Sequence, residues 1–172
     1  MNPLDTLILR PGERDDWNRV RTDWKLSFAT SPLAHELTDA DTWRGGKAGP
    51  VYWAWQEAVV ERLLRRATLT IATWAEDIRS IVGWCVTEAP DVVHYVFVVR
   101  GPRVDDSHSS PYRKLGIAKR LLGDRIERPQ RYTHRSAACA WLPIPSHWTY
   151  DPRPALDGSY KETHASTPHS PA

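Results

Sequence analysis

The chain holds two cysteines in 172 residues, Cys85 and Cys139, which supports neither a disulfide framework nor a thiolate metal site. That usage fits a reducing compartment, and a cytoplasmic location is expected. No window approaches eighteen consecutive apolar residues, and the opening MNPLDTLILRPGERDD has no basic segment leading into a long apolar one. Neither a membrane span nor an export signal is expected. Charge of one sign is scarce as well: the formal net charge is +2, without the concentrated basic stripe that nucleic acid calls for. Nucleic acid and membrane are therefore excluded as expected partners. There is no internal repeat, no Ser/His/Asp or Cys/His nucleophile signature, and His134 and His147 have no companion ligands at metal spacing, so no metal is expected.

What the sequence does have is tryptophan, nine in all, several in stretches with helical spacing, where each large ring buries much area. The length suits one domain with a core. Leu7-Ile8-Leu9-Arg10-Pro11-Gly12 reads as a short strand ended by a turn. Asp15 or Asp16 then caps a helix whose Trp17, Val20, Trp24 and Phe28 fall on one face. Thr30 to Pro50 carries loop signals and is expected to be irregular. Val51 to Arg66 reads as a second helix, with Tyr52, Trp55, Val59 and Leu63 at helical spacing and cations at its C-terminal end.

Three strands follow in the reading, Thr68 to Trp74, Ser80 to Thr87 and Val92 to Val99, joined by short polar links that suit an antiparallel meander. Residues 100 to 112 form a polar loop, and Gly116 to Ile126 resumes helical spacing until Arg128-Pro129 closes it. After Pro129 at most one strand, Ser136 to Leu142, is expected. The organisation is a domain over residues 1–142 and a Pro-rich, polar extension over 143–172, whose end, Lys161 to Ala172, has a disordered composition that a protein partner would have to hold.

The stretch that carries chemistry is the strand Val92 to Val99, a loop, and Arg113-Lys114-Leu115-Gly116-Ile117-Ala118-Lys119 opening a helix. A glycine at the first helical turn lets backbone N–H groups point into one concavity, where the helix N-terminus favours an anion. Lys114, Lys119 and Arg120, with Arg113 at the edge, add positive charge suited to a polyanion. The bland reading of the same cations is a solvated helix face.

With Arg113, Gly116 and Ala118 matching the pattern [QR]-x-x-G-x-[GA], residues 7 to 127 resemble the GNAT superfamily of acyl-CoA-dependent N-acyltransferases. The resemblance implies an α/β (α+β) fold with a central, mostly antiparallel sheet flanked by helices, its C-terminal half truncated or rebuilt. It implies acetyl-CoA as co-substrate. Amides from about Lys114 to Ala118, including Leu115, Gly116 and Ile117, would hold the pyrophosphate beside Lys119, and the strand at Val98 and Val99 would run along the pantetheine arm. It further implies an N-acetyltransferase acting on an amine of a small molecule or a protein. The sequence is also similar to acetyltransferase-like proteins of tailed bacteriophages, which implies the alternative of an inactive, virion-associated assembly module.

Amine acylation calls for a base to take the amine's proton and an acid to protonate the leaving thiolate. His94 is the first candidate base; strict alternation places it on the face of Val96 and Val98. Glu88, ending the preceding strand, is the second, against the reading of an ordinary hairpin carboxylate. Tyr132, or Tyr150, is the candidate acid. Cys85, between Trp84 and Val86, reads as a small core residue.

Overall fold

A computed structural model of the chain describes residues 3–28, 43–44, 47–48, 50–99, 112, 115–134 and 144–155. Its element order begins with a 3-10 turn, Pro3–Thr6, and strand β1, Leu7–Pro11. Helix α1, Trp17–Phe28, starts from a short 3-10 turn whose Glu13 and Asp16 close a reciprocal capping box. Asp16 also receives both guanidinium nitrogens of Arg10, at 2.7 and 2.8 Å, tying the end of β1 to the helix entrance. Residues Trp43–Arg44 and Lys47–Ala48 pair as a two-residue ribbon, β2 and β3, inside a stretch that reads as irregular from sequence. Helix α2, Pro50–Arg66, begins on a proline, whose missing N–H is no loss in a first turn.

The meander is β4, Thr68–Trp74, β5, Asp77–Glu88, and β6, Val92–Val98. A short helix, α3, covers Ile117–Leu122 and tightens into 3-10 geometry over Gly123–Glu127, so the helical spacing to Ile126 holds but only its first half is α. Two strands of two residues each follow among the described residues: β7, Arg131–Tyr132, and β8, Thr149–Tyr150. Neither is expected from the sequence, whose one C-terminal strand, Ser136 to Leu142, lies outside the described residues together with Cys139.

The sheet has six strands in the order β1-β4-β5-β6-β7-β8. The first four pair antiparallel, as a meander should, whereas β7 and β8 add in parallel. The fold is thus a mixed α/β sheet flanked by helices. Its two faces have separate cores. Val20 and Trp24 of α1 and Val59, Val60, Leu63 and Leu64 of α2 cover Ile71, Trp84, Val86 and Tyr95. On the other face α3 sets Ile117 and Leu121 against Leu7, Ala72, Val82 and Cys85. Ala155 reaches back into the α1/α2 core, and Arg66 Nη2 donates to the Pro154 carbonyl, so residues just after β8 seal that face.

Candidate functional site

β6 is flanked by two different neighbours. Along one edge Gly83 to Glu88 pair with it from Val98 back to Val92. Along the other, β7 pairs at Val92/Arg131 and Val93/Tyr132. Beyond those two pairs no strand among the described residues lies beside Val96 to Val98 on that side. Charged groups clasp the closed end. The Arg131 guanidinium donates to both Asp91 oxygens at 3.1 and 2.9 Å and lies 3.7 Å from Asp151, which is in turn held by Arg153. Arg131 holds the Asp91 carboxyl below its ordinary range, and the Arg153 bond does the same for Asp151.

The open end of β6 meets the start of α3. A Cβ built on Gly83 would stand 2.9 Å from the Phe97 carbonyl oxygen, 3.1 Å from Ile117 Cγ2 and 3.2 Å from Leu121 Cδ1. Only a residue without a side chain admits the helix this close to the pair Gly83/Val98. Gly116 precedes the helix in the left-handed region, φ 82° and ψ 16°, where glycine carries no steric penalty. The first intrahelical bond runs from Arg120 N to the Gly116 carbonyl at 3.1 Å. The amides of Ile117, Ala118 and Lys119 come before it, and among the described residues no acceptor takes them. Lys119 and Arg120 are exposed, and Ala118 and Leu115 half-buried. Arg113 and Lys114 lie outside the described residues.

On the opposite face the two candidate bases come together. His94 is buried, with Nε2 3.0 Å from Glu88 Oε2 and Nδ1 3.1 Å from Thr133 Oγ1. Strict alternation would turn His94 toward Val96 and α3. It does not, because β6 carries an extra residue: Val86 pairs with Tyr95 and Thr87 with Val93, leaving His94 as the bulge. The imidazole therefore joins partners of the α1/α2 face. Arg66 of α2 lies 3.5 Å from Glu88, and His134, bonded to Thr133 at 2.7 Å, packs edge-on against Trp24 and Tyr95. Burial lowers the His94 pKa, opposed by the Glu88 hydrogen bond. His134 is pushed down to about 3 by burial, with His94 adding to the shift. Glu88 is the accessible member, its side chain 36% exposed.

The remaining candidates are placed apart. Tyr132 stacks obliquely on Tyr150 at 5.4 Å between ring centroids. Its pairing with Val93, itself opposite Thr87, puts it on the sheet face away from Glu88. The Val99 amide donates to the Val82 carbonyl at 2.9 Å within the sheet, while Val98, half-buried, packs toward the α3 core. Cys85 is buried, its thiol bonded to the Leu121 carbonyl at 3.4 Å and its pKa raised to about 11 by desolvation. Sequence reasoning missed Thr133 and the role of His134 beside it. Both follow a strand too short to leave a periodic signal. Among the described residues no three His, Cys, Asp or Glu side chains gather as a metal site, and no helix is long and apolar enough to cross a membrane.

No family model and no curated protein matches the chain. Three solved structures are similar to it at low identity. One is described as "GCN5-Related N-acetyltransferase: Aminotransferase, Class-II" from Rhodopseudomonas palustris, 22% identical over 68% of this chain with a TM-score of 0.38. The apo form of YjaB from Escherichia coli is 16% identical over 70%, with a TM-score of 0.41. A possible acetyltransferase from Clostridium difficile 630 is 17% identical over 68%, with a TM-score of 0.34. The chain spans 61%, 65% and 66% of their respective lengths. Superpositions this loose lend the site no residue, and its reading rests on its own geometry.

Proposed function

We propose that the chain is an acyl-CoA-dependent N-acyltransferase that uses acetyl-CoA as donor and an amine of a small molecule or a protein as acceptor. The observation that carries this reading is the left-handed Gly116 opening α3 against the Gly83/Val98 end of β6. The unaccepted amides of Ile117 to Lys119 suit a pyrophosphate, with the exposed Lys119 and Arg120 supplying charge, Leu115 in the preceding turn, and Arg113 and Lys114 just before it in sequence. The pantetheine arm would then run along β6 at Val98 and Val99.

The same residues divide the proton work. The amine nitrogen forms a bond to the acyl carbonyl carbon, the carbon–sulfur bond breaks, and coenzyme A leaves as a thiolate. Glu88, the exposed member of its pair, accepts the proton that the nitrogen loses, with His94 behind it; Tyr132, the candidate acid, lies on the other face, and the thiolate takes its proton from solvent. Glu88 then releases its proton to solvent, so one proton moves from amine to thiol overall. The test is binding: acetyl-CoA raises the melting temperature, and Gly116→Asp, which sets a carboxylate among the amides, removes that shift. An unchanged melting temperature at millimolar acetyl-CoA overturns the reading.

A further inference from the structure

Thr133 stands between two buried imidazoles. Its Oγ1 is 3.1 Å from His94 Nδ1, 2.7 Å from His134 Nδ1 and 3.4 Å from the His94 carbonyl oxygen. A hydroxyl has one proton to donate and two lone pairs with which to accept. The far side of His94 sets which role it plays. Ionised Glu88 can only accept, so the 3.0 Å bond from His94 carries its proton on Nε2. Burial keeps His94 neutral at neutral pH, and Nδ1 is then a bare acceptor. The Thr133 hydroxyl must donate to it and must accept from His134, whose proton therefore sits on Nδ1. All three hydrogen bonds run one way, from His134 through Thr133 and His94 to Glu88.

We infer that Thr133 and His134 are positioning residues, their relayed hydrogen bonds fixing the His94 ring in the Nε2-protonated tautomer that Glu88 selects and so holding Glu88 Oε2 in place while its carboxylate serves the acceptor amine. Glu88 Oε2 meets both His94 and Arg66. The amine enters this statement only through the acyltransferase reading; the tautomer does not depend on it. The groups that face the chain are Arg66 of α2, Glu88 of β5, His134 after β7 and Tyr95 of β6, whose phenol donates to Ser27 at 2.7 Å. The 3.4 Å alternative bond gives the device a second state. When His94 is protonated at Nδ1, the hydroxyl proton swings to the His94 carbonyl and Thr133 accepts from both rings.

The experiment is long-range proton–nitrogen NMR of the histidine rings in the full chain, in the wild type, Thr133→Val and Thr133→Ser. Wild type and Thr133→Ser are expected to show His94 protonated on Nε2 alone and His134 on Nδ1 alone at pH 7.5. Thr133→Val is expected to leave the His94 proton on Nε2, because Glu88 remains, and to move the Nδ1 resonance toward that of an unbonded imidazole nitrogen. In acetyl-transfer assays Thr133→Val should lower kcat by about tenfold, the scale of one hydrogen bond, and shift the acid limb of the pH profile, with KM for acetyl-CoA unchanged and Thr133→Ser restoring both. A wild-type His94 protonated on Nδ1, or an Nδ1 resonance unmoved in Thr133→Val, overturns the inference even if transfer is observed. The expected tautomers in a protein that transfers no acetyl group would instead remove the acyltransferase reading and with it the amine that Glu88 serves. Should Thr133→Val fail to fold, the wild-type and Thr133→Ser spectra still decide.

Discussion

Glu88 and His94 meet at 3.0 Å because His94 is the extra residue of a bulge, which turns its ring to the face where Arg66 already holds the carboxylate. Replacing Glu88 by Gln keeps the shape and removes the proton acceptor. Turnover is expected to fall by roughly a hundredfold or more, the range for a lost general base, while the stabilisation by acetyl-CoA stays as in the wild type. His94→Gln should also depress turnover and spare that stabilisation. Steady-state kinetics beside melting curves check both; normal turnover of Glu88→Gln would clear the carboxylate of this role.

The cofactor proposal predicts a quantity as well as a direction. At a concentration about 100 times Kd, a ligand that binds only the native state adds about 2.7 kcal/mol. For a chain of this size that is a rise in melting temperature of roughly 5 to 10 °C. Gly116→Asp should lose the rise whatever its own baseline, which the strained left-handed backbone will lower.

Stability should decline between neutral and acid pH before the carboxylates titrate. The unfolded chain protonates His134 near pH 6.5, whereas the native chain resists until about 3. Below pH 6.5 the unfolded state therefore binds the extra proton, and stability is lost as the pH falls toward 3. From pH 6.5 to 5 this amounts to about 2 kcal/mol. His94, also shifted down, acts in the same direction. The lowered carboxyls of Asp16, Asp91 and Asp151 stabilise above their unfolded pKa and withdraw that contribution only nearer pH 4 and below. Urea denaturation at pH 7 and pH 5 measures the loss, and His134→Gln should flatten it.

Gly83→Ala places a methyl group 2.9 Å from the Phe97 carbonyl oxygen, which belongs to the neighbouring strand and cannot swing away. The helix or the strand pair must shift, at a cost of about 1 to 3 kcal/mol. A urea midpoint equal to the wild type would show that α3 is not seated this closely.

Cys85 should be inert. Burial and a pKa near 11 leave almost no accessible thiolate at pH 7.5. Peptide mapping after brief native treatment with iodoacetamide should find Cys85 unmodified, and denaturation should expose it.

Much of this architecture is legible in the sequence where local pattern and tertiary role agree. The β-branched run Thr68 to Trp74 is β4 residue for residue, and the spacing of Val20 and Trp24 does mark the buried face of α1. What escapes is whatever depends on pairing. The bulge at His94 arises from how β6 meets β5 and leaves no mark on alternation read along one strand, so its side chain is assigned the wrong face. β7 and β8, two residues each, are shorter than any period. The glycine at the start of α3 is readable because a conformational need selects the residue type itself; Thr133 is not, because a buried threonine looks the same whether it fills space or orients an imidazole.

The placement of Ala155 and Pro154 against the α1/α2 core has a consequence for biosynthesis. Chains emerge from the ribosome N-terminus first. A nascent chain stalled after Glu127 already contains α1, α2, the meander and α3, yet Arg131 has not reached Asp91, and His94 faces no hydroxyl. Residues through Ala155 must leave the ribosome before this half of the molecule can close over Trp24 and Trp84.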